Sequence, residues 1–222
     1  AEFTAEYALA LPERLQTFLI GARPLASTWP AESLAASALA SSWSAPSIHY
    51  ALTLGAGLPP FVVSFDNALA LSLTDRLFGG SGAKVDDAPA ALPQSVVLSV
   101  EQIARAVAET LAPLFGASPA QVSTAAHPVL RRLGVFKRNE KALSLSFTVE
   151  QDGHDPWTLR LSAPEVALRA VLEQRASGAA PAPKAAPDPL ATAMAAIPLP
   201  LTAVLAELAM PLERLAALKP GD

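Results

Sequence analysis

The order of patterns along the chain predicts an α/β sandwich built from two related halves. Two observations carry this. A block reading strand, turn, strand, capped helix occurs twice, ending first in "FVVSFDNALALSLTDRLF" and later in "WTLRLSAPEVALRAVLEQ". Between the blocks lies a strongly amphipathic helix pattern, the kind that covers a sheet.

The elements follow in order. Thr4 to Ser44 is rich in alanine and serine and helical in character. "SIHYALTL" (Ser47 to Leu54) and "FVVSF" (Phe61 to Phe65) are strand patterns separated by the turn cluster "GAGLPP". Asp66 or Asn67 then caps a helix in which Leu69, Leu73 and Leu77 recur every four residues, with Gly79 just past its end. In the next helix, expected over Ser99 to Phe115, Ser99 and Gln102 read as a capping box. Val100, Ile103, Val107, Leu111 and Leu114 share one face, and Gly116 follows. "ALSLSFTVE" and "WTLRLS" alternate apolar and polar residues around the turn "QDGHDP", a hairpin signature. Ser162 with Glu165 reads as a second capping box, opening a helix that carries Val166, Leu168 and Val171. The domain expected over residues 1–175 is followed by an alanine- and proline-rich linker over 176–196, whose composition favours an extended spacer. A short apolar tail occupies 197–222.

Composition limits the chemistry. The chain has 222 residues, enough for one ordinary domain plus something smaller. With 51% hydrophobic and 16% charged residues, part of the surface is expected to face neighbours. A net charge of -4 offers no general attraction to nucleic acid or anionic lipid, so no nucleic-acid partner is expected. The absence of cysteine excludes disulfides, thiolate nucleophiles and cysteine-ligated metals. No apolar run approaches the roughly 20 residues of a membrane span, and the opening residues lack the pattern of a signal peptide, so a soluble, unexported chain is expected.

The sharpest local feature is "DRLFGGSG", Asp75 to Gly82, which closes a helix and then sets three glycines close together. Phosphate-binding glycines precede a helix, whose N-terminus supplies donors and the positive dipole end. These follow one, where the dipole end is negative, so neither a nucleotide nor any other cofactor is expected here. His49 falls in a strand pattern, His127 in a loop before Pro128, and His154 in the "QDGHDP" turn, with no spacing that makes a metal site. No serine lies in a Gly-x-Ser-x-Gly elbow, so no catalytic residue is assigned. The basic stretch Arg131 to Lys141, with Arg132, Lys137, Arg138 and Phe136, reads as a solvated loop, and a contact for an acidic protein stays open.

"SFDNALALSLTDRLFGGSG" resembles the signature of the middle domain of the flagellar motor switch protein FliM, where a strand passes through an acidic cap into a helix ending Asp-Arg-Leu-Phe-Gly-Gly-x-Gly. "KALSLSFTVEQDGHDPWTLRLSAPEVALRAVL" is similar to the second half of that domain, and "IPLPLTAVLAELAMPLERLAALKPGD" (Ile197 to Asp222) to the opening of the SPOA domain, a FliN-like module, that follows it in the family. The resemblance implies a pseudo-symmetric three-layer α/β/α sandwich, shared with the CheC class. It also implies a non-enzymatic scaffold and switch component of the cytoplasmic ring of the flagellar motor. Such a protein couples chemotaxis signals to the direction of rotation and is peripheral to the inner membrane at the basal body.

The partners implied are FliG through the loop Phe78, Gly79, Gly80, Ser81 and Gly82, FliN through the SPOA segment, and neighbouring FliM copies in the ring. Phosphorylated CheY is a further partner in the family, but its N-terminal binding motif is absent from these residues. Two alternatives stand beside this reading. A type III secretion cytoplasmic ring component carries SPOA modules too. A CheC-type phosphatase needs an acidic residue and an asparagine three positions later on one helix face, whereas Glu101 and Glu109 are followed at that spacing by Ala104 and Ala112.

Overall fold

The structure is a computed structural model that describes residues 2–19, 25–28, 30–43, 45–83, 85–137 and 139–176. Nearly all of the linker expected over 176–196, and the whole SPOA-like tail, lie outside the described residues. The elements are α1 (Glu2–Leu15), β1 (Leu25–Thr28), β2 (Glu32–Ala35), α2 (Ala36–Ser41), β3 (Ser47–Thr53), β4 (Phe61–Asp66), α3 (Asn67–Leu77), α4 (Gln94–Leu114), β5 (Ser123–His127), β6 (Lys141–Gln151), β7 (His154–Pro164) and α5 (Glu165–Ala176). A short 3-10 helix, Leu130–Leu133, connects β5 to β6.

All strand pairs are antiparallel, in the order β1-β6-β7-β4-β3-β5, with β2 pairing β6 beside β1. β1 lies opposite Phe147 to Glu150 and β2 opposite Lys141 to Ser144, so the two together form one interrupted edge strand. The two hairpins, β3-β4 and β6-β7, meet at the centre, where Val62, Val63 and Ser64 pair with Ser162, Leu161 and Arg160.

Strand alternation sorts the side chains onto two faces. Tyr50, Leu52, Phe61, Val63, Phe65, Phe147, Val149, Leu159 and Leu161 join Tyr7, Leu11 and Leu15 of α1, Ala70 and Leu73 of α3, the α4 stripe and Leu168 of α5 in the main core. The opposite face carries a small cluster of Leu39, Val62, Leu130 and Ala142, packed by Leu133, Val135 and Phe136. Helices thus cover both faces, in a full layer on one and through α2 and the 3-10 helix on the other. This is the sandwich that the sequence predicts, with unequal layers.

Several expectations need correction. Thr4 to Ser44 is not helical throughout, because it supplies β1 and β2. These four-residue edge strands draw their backbone partners from β6, so the neighbouring strand, not local alternation, makes them strands. α4 begins five residues before Ser99, at Gln94, and the Ser99 hydroxyl donates to the Ser95 carbonyl inside the helix, so no capping box forms there. Ser162 is buried in β7 and donates to the Ser144 hydroxyl across the β6-β7 pair; α5 starts at Glu165, and Val166 is exposed. His127 ends a strand opposite His49 instead of lying in a loop. The hairpin turn contracts to Asp152 and Gly153, since Gln151 already pairs with His154.

Candidate functional site

α3 starts as its residues predict. The Asp66 carboxylate accepts from the Leu69 amide at 2.7 Å, satisfying one of the donors a helix start leaves free. The helix ends in a Schellman motif: the Gly79 amide donates to the Arg76 carbonyl at 3.0 Å and the Gly80 amide to the Asp75 carbonyl at 2.8 Å. Gly79 has φ 83°, which glycine adopts without steric cost.

The other two glycines have reasons of their own. A Cβ on Gly80 would collide with the Asp75 carboxylate, and one on Gly82, at φ 66°, would collide with the middle of the Arg76 side chain. The Asp75 carboxylate also accepts from the Gly82 amide at 2.8 Å, so a single aspartate closes the loop from both sides of Ser81. The Ser72 hydroxyl donates to the Gly82 carbonyl. His154 Nδ1 lies 3.1 Å from the Ser81 carbonyl and ties the loop to the start of β7.

The predicted docking residues are therefore brought together on one tight turn. Phe78, which follows the helix, has 79% of its surface exposed; a large apolar side chain in that state is available to a partner. Ser81 is exposed as well, while Gly82 is half-buried over Arg76. Sequence reasoning missed Asp75, Ser72 and His154 as supports of the loop. Asp75 was within reach, since an aspartate a few residues before a glycine turn is a common acceptor for its amides. His154 was not, being 73 residues from Ser81 in sequence.

Beside the loop lies a cleft of about 590 Å³ between α3, the start of β7, and the chain at Trp43 and Ala45. Arg76, Gly82, His154, Trp157 and Arg160 are among its lining residues. Arg76 is buried, and burial lowers the pKa of its guanidinium. The Arg160 guanidinium stands over the Trp43 ring, 5.1 Å from its centre, and donates to the Ser42 hydroxyl at 2.9 Å.

The remaining candidates resolve into structural roles. His49 is buried, with Nδ1 2.8 Å from the Ser64 hydroxyl; desolvation first, and then the nearby His127, push its pKa down to about 4. His127 Nδ1 accepts from the Val129 amide at 2.9 Å. Among the described residues no group of three or more metal-binding side chains forms. Arg131, Arg132, Lys137 and Lys141 are exposed, as a solvated loop requires, whereas Phe136 is half-buried on the smaller cluster; Arg138 lies outside the described residues. The Glu101 carboxylate accepts from the Thr124 hydroxyl, the Glu109 carboxylate pairs with Arg105 at 3.1 Å, and Ala104 and Ala112 are fully buried. No helix among the described residues is long and apolar enough to cross a membrane.

An antiparallel sheet made of two hairpins and flanked by helices in pseudo-symmetric order defines a class of fold, and solved structures place it. No protein-family model matches the chain, and no curated protein matches it in sequence. Solved structures of FliM and FliY match it in fold. A chain of the FliG–FliM complex from H. pylori matches with a TM-score of 0.63 at 13% identity, covering 78% of this chain and 94% of that one. FliY from Thermotoga maritima matches with a TM-score of 0.60 at 16% identity, over 78% of this chain and 91% of that one. The FliM middle domain from Vibrio alginolyticus matches with a TM-score of 0.57 at 12% identity, over 77% and 96%. The chain has the fold of a FliM middle domain.

Proposed function

We propose that this chain is a non-enzymatic scaffold and switch component of the flagellar motor ring, and that it docks FliG through Phe78, Gly79, Gly80, Ser81 and Gly82. One observation carries the reading. The loop is hydrogen-bonded to Asp75 from within and to His154 from the other half of the fold, while it leaves Phe78 on the surface. A preorganised loop with an exposed aromatic anchor binds with little ordering cost. The fold shared with a chain of a FliG–FliM complex supports the same partner.

The absence of enzymatic activity is supported by α4. The positions three residues after Glu101 and Glu109 are alanines sealed in the core, and both glutamates are engaged by neighbouring side chains. Placement at the cytoplasmic face of the basal body, pairing with FliN through residues 197–222, contact with ring neighbours and the coupling of chemotaxis signals to rotation belong to the same proposal.

Binding of the purified chain to FliG tests it. Phe78→Ser and Ser81→Arg, both at exposed positions, are expected to weaken binding at least tenfold with an unchanged unfolding temperature. Unchanged affinity in both variants removes the docking role from the loop, and wild-type protein that does not bind FliG at all favours a secretion-ring component instead.

A further inference from the structure

The sheet face opposite α3 is thinly covered. Its helical cover among the described residues is α2, 6 residues long, and the 3-10 helix Leu130–Leu133, 4 residues long, whereas α4 alone brings 21 residues to the main face. Between these two short elements lie two recesses, of about 540 Å³ and 410 Å³. They share Ala40, Leu130 and Arg131 in their linings and so form one groove. Its floor is apolar: Ala36 and Leu130 are buried, Ala40 and Phe136 are half-buried, and Val129 at the rim has 50% of its surface exposed.

The charge around this floor has one sign. Arg131 and Lys137 line the groove, and among the described residues no carboxylate does, although acidic residues outnumber basic ones 20 to 16 over the whole chain. The carboxylate of Glu140, close by in sequence, is occupied by the Lys137 amide, which donates to it at 3.0 Å. Among the described residues no ion pair engages Arg131, Arg132 or Lys137. Unpaired cations beside an apolar floor complement carboxylates beside an apolar stripe. An amphipathic helix offers that pattern, with apolar anchors at i, i+3, i+4 and i+7. Nucleic acid fits less well, because a negatively charged chain with two cations over an apolar floor gives a phosphate backbone no basic track to follow.

We propose that the groove between α2 and the 3-10 helix docks an acidic amphipathic helix of a partner protein. Its apolar side chains rest on Leu130 and Phe136, and its carboxylates pair with Arg131 and Lys137. The docked helix completes the thin layer of the sandwich. The groove lies on the sheet face opposite α3, so this docking stands or falls separately from that at Phe78.

A fluorescein-labelled helical peptide with leucines at i, i+3, i+4 and i+7 and glutamates elsewhere is the probe, and the same peptide with lysines in place of glutamates is the control. Anisotropy with the full chain is expected to show saturable binding of the glutamate peptide, at least tenfold tighter than the control and weakened by added salt. Amide shifts of the ¹⁵N-labelled chain are expected to centre on Ala40, Leu130 and Phe136. Arg131→Glu combined with Lys137→Glu is expected to weaken binding at least tenfold. Ser37→Trp, which fills the groove from an exposed position without changing charge, is expected to weaken it severalfold. No saturable binding, equal affinity for the two peptides, shifts centred away from the groove, or binding unchanged in both variants overturns the proposal. So does displacement of the peptide by single-stranded RNA as readily as by unlabelled peptide, or self-association of the chain that the same variants abolish, which assigns the groove to a second copy.

Discussion

At the scale of single residues, the three glycines after Phe78 do different work. Gly79 takes the left-handed angle that ends α3, Gly80 makes room for the Asp75 carboxylate, and Gly82 does both, since its φ is positive and its missing Cβ leaves space for Arg76. The close approach that glycine permits is an approach to the chain's own side chains. Gly82→Ala is therefore expected to destabilise the domain by about 2–3 kcal/mol, combining left-handed strain with overpacking against a buried side chain. Urea denaturation checks this: a loss under 0.5 kcal/mol would mean that Arg76 moves aside freely. This is also why Phe78 and Ser81 are the cleaner probes of the proposed docking: both side chains are exposed, and the backbone bonds that these residues make do not depend on them.

Individual elements owe much to what covers them. The smaller cluster leaves the centre of its sheet face polar, with His49 and Ser64 on β3 and β4 and Ser144 and Ser162 on β6 and β7. Trp43 packs edge-on against His49 at 5.8 Å between ring centres, and His127 on β5 is its cross-strand partner. His49 stays neutral there, with its pKa lowered from 6.5 to about 4. The unfolded chain then binds more protons than the folded one between those values. The contribution of His49 to stability is accordingly complete above about pH 6.5 and is lost as pH falls through about 4. The full loss is on the order of 3 kcal/mol. Denaturation from pH 7 to pH 4 should show a shallower slope for His49→Gln than for wild type; equal slopes would place the pH dependence in other groups.

Across the whole molecule, the two halves are interlocked. The first runs α1, edge strands β1 and β2, α2, hairpin β3-β4, α3; the second runs α4, edge strand β5, the 3-10 helix, hairpin β6-β7, α5. Each edge strand pairs with the hairpin of the other half: β1 and β2 with β6, and β5 with β3. A half on its own thus exposes the outer strand of its hairpin and the apolar face under its missing helices. Fragments 1–90 and 91–176 are expected to be largely unfolded alone and to regain sheet structure and cooperative unfolding when mixed, as followed by circular dichroism. Independent folding of either fragment would show that the exchange of edge strands is dispensable.

Much of this order was legible in the sequence because its signals are local. Alternation of period two marks both hairpins, Asp66 caps α3 and a glycine follows it, and the α4 face from Val100 to Leu114 is apolar at helical spacing. The turn that ends α3 was legible for the same reason, lying within eight consecutive residues. Tertiary structure decided the rest. β1, β2 and β5 are strands because β6 and β3 supply their hydrogen bonds, and Ser99 and Ser162 lost their capping roles to a longer helix and a longer strand. The cleft joins Trp43, Arg76 and Trp157 from three separate parts of the chain. Periodicity and capping act between neighbours in sequence, while pairing partners and shared cavities are set only when distant segments meet in space.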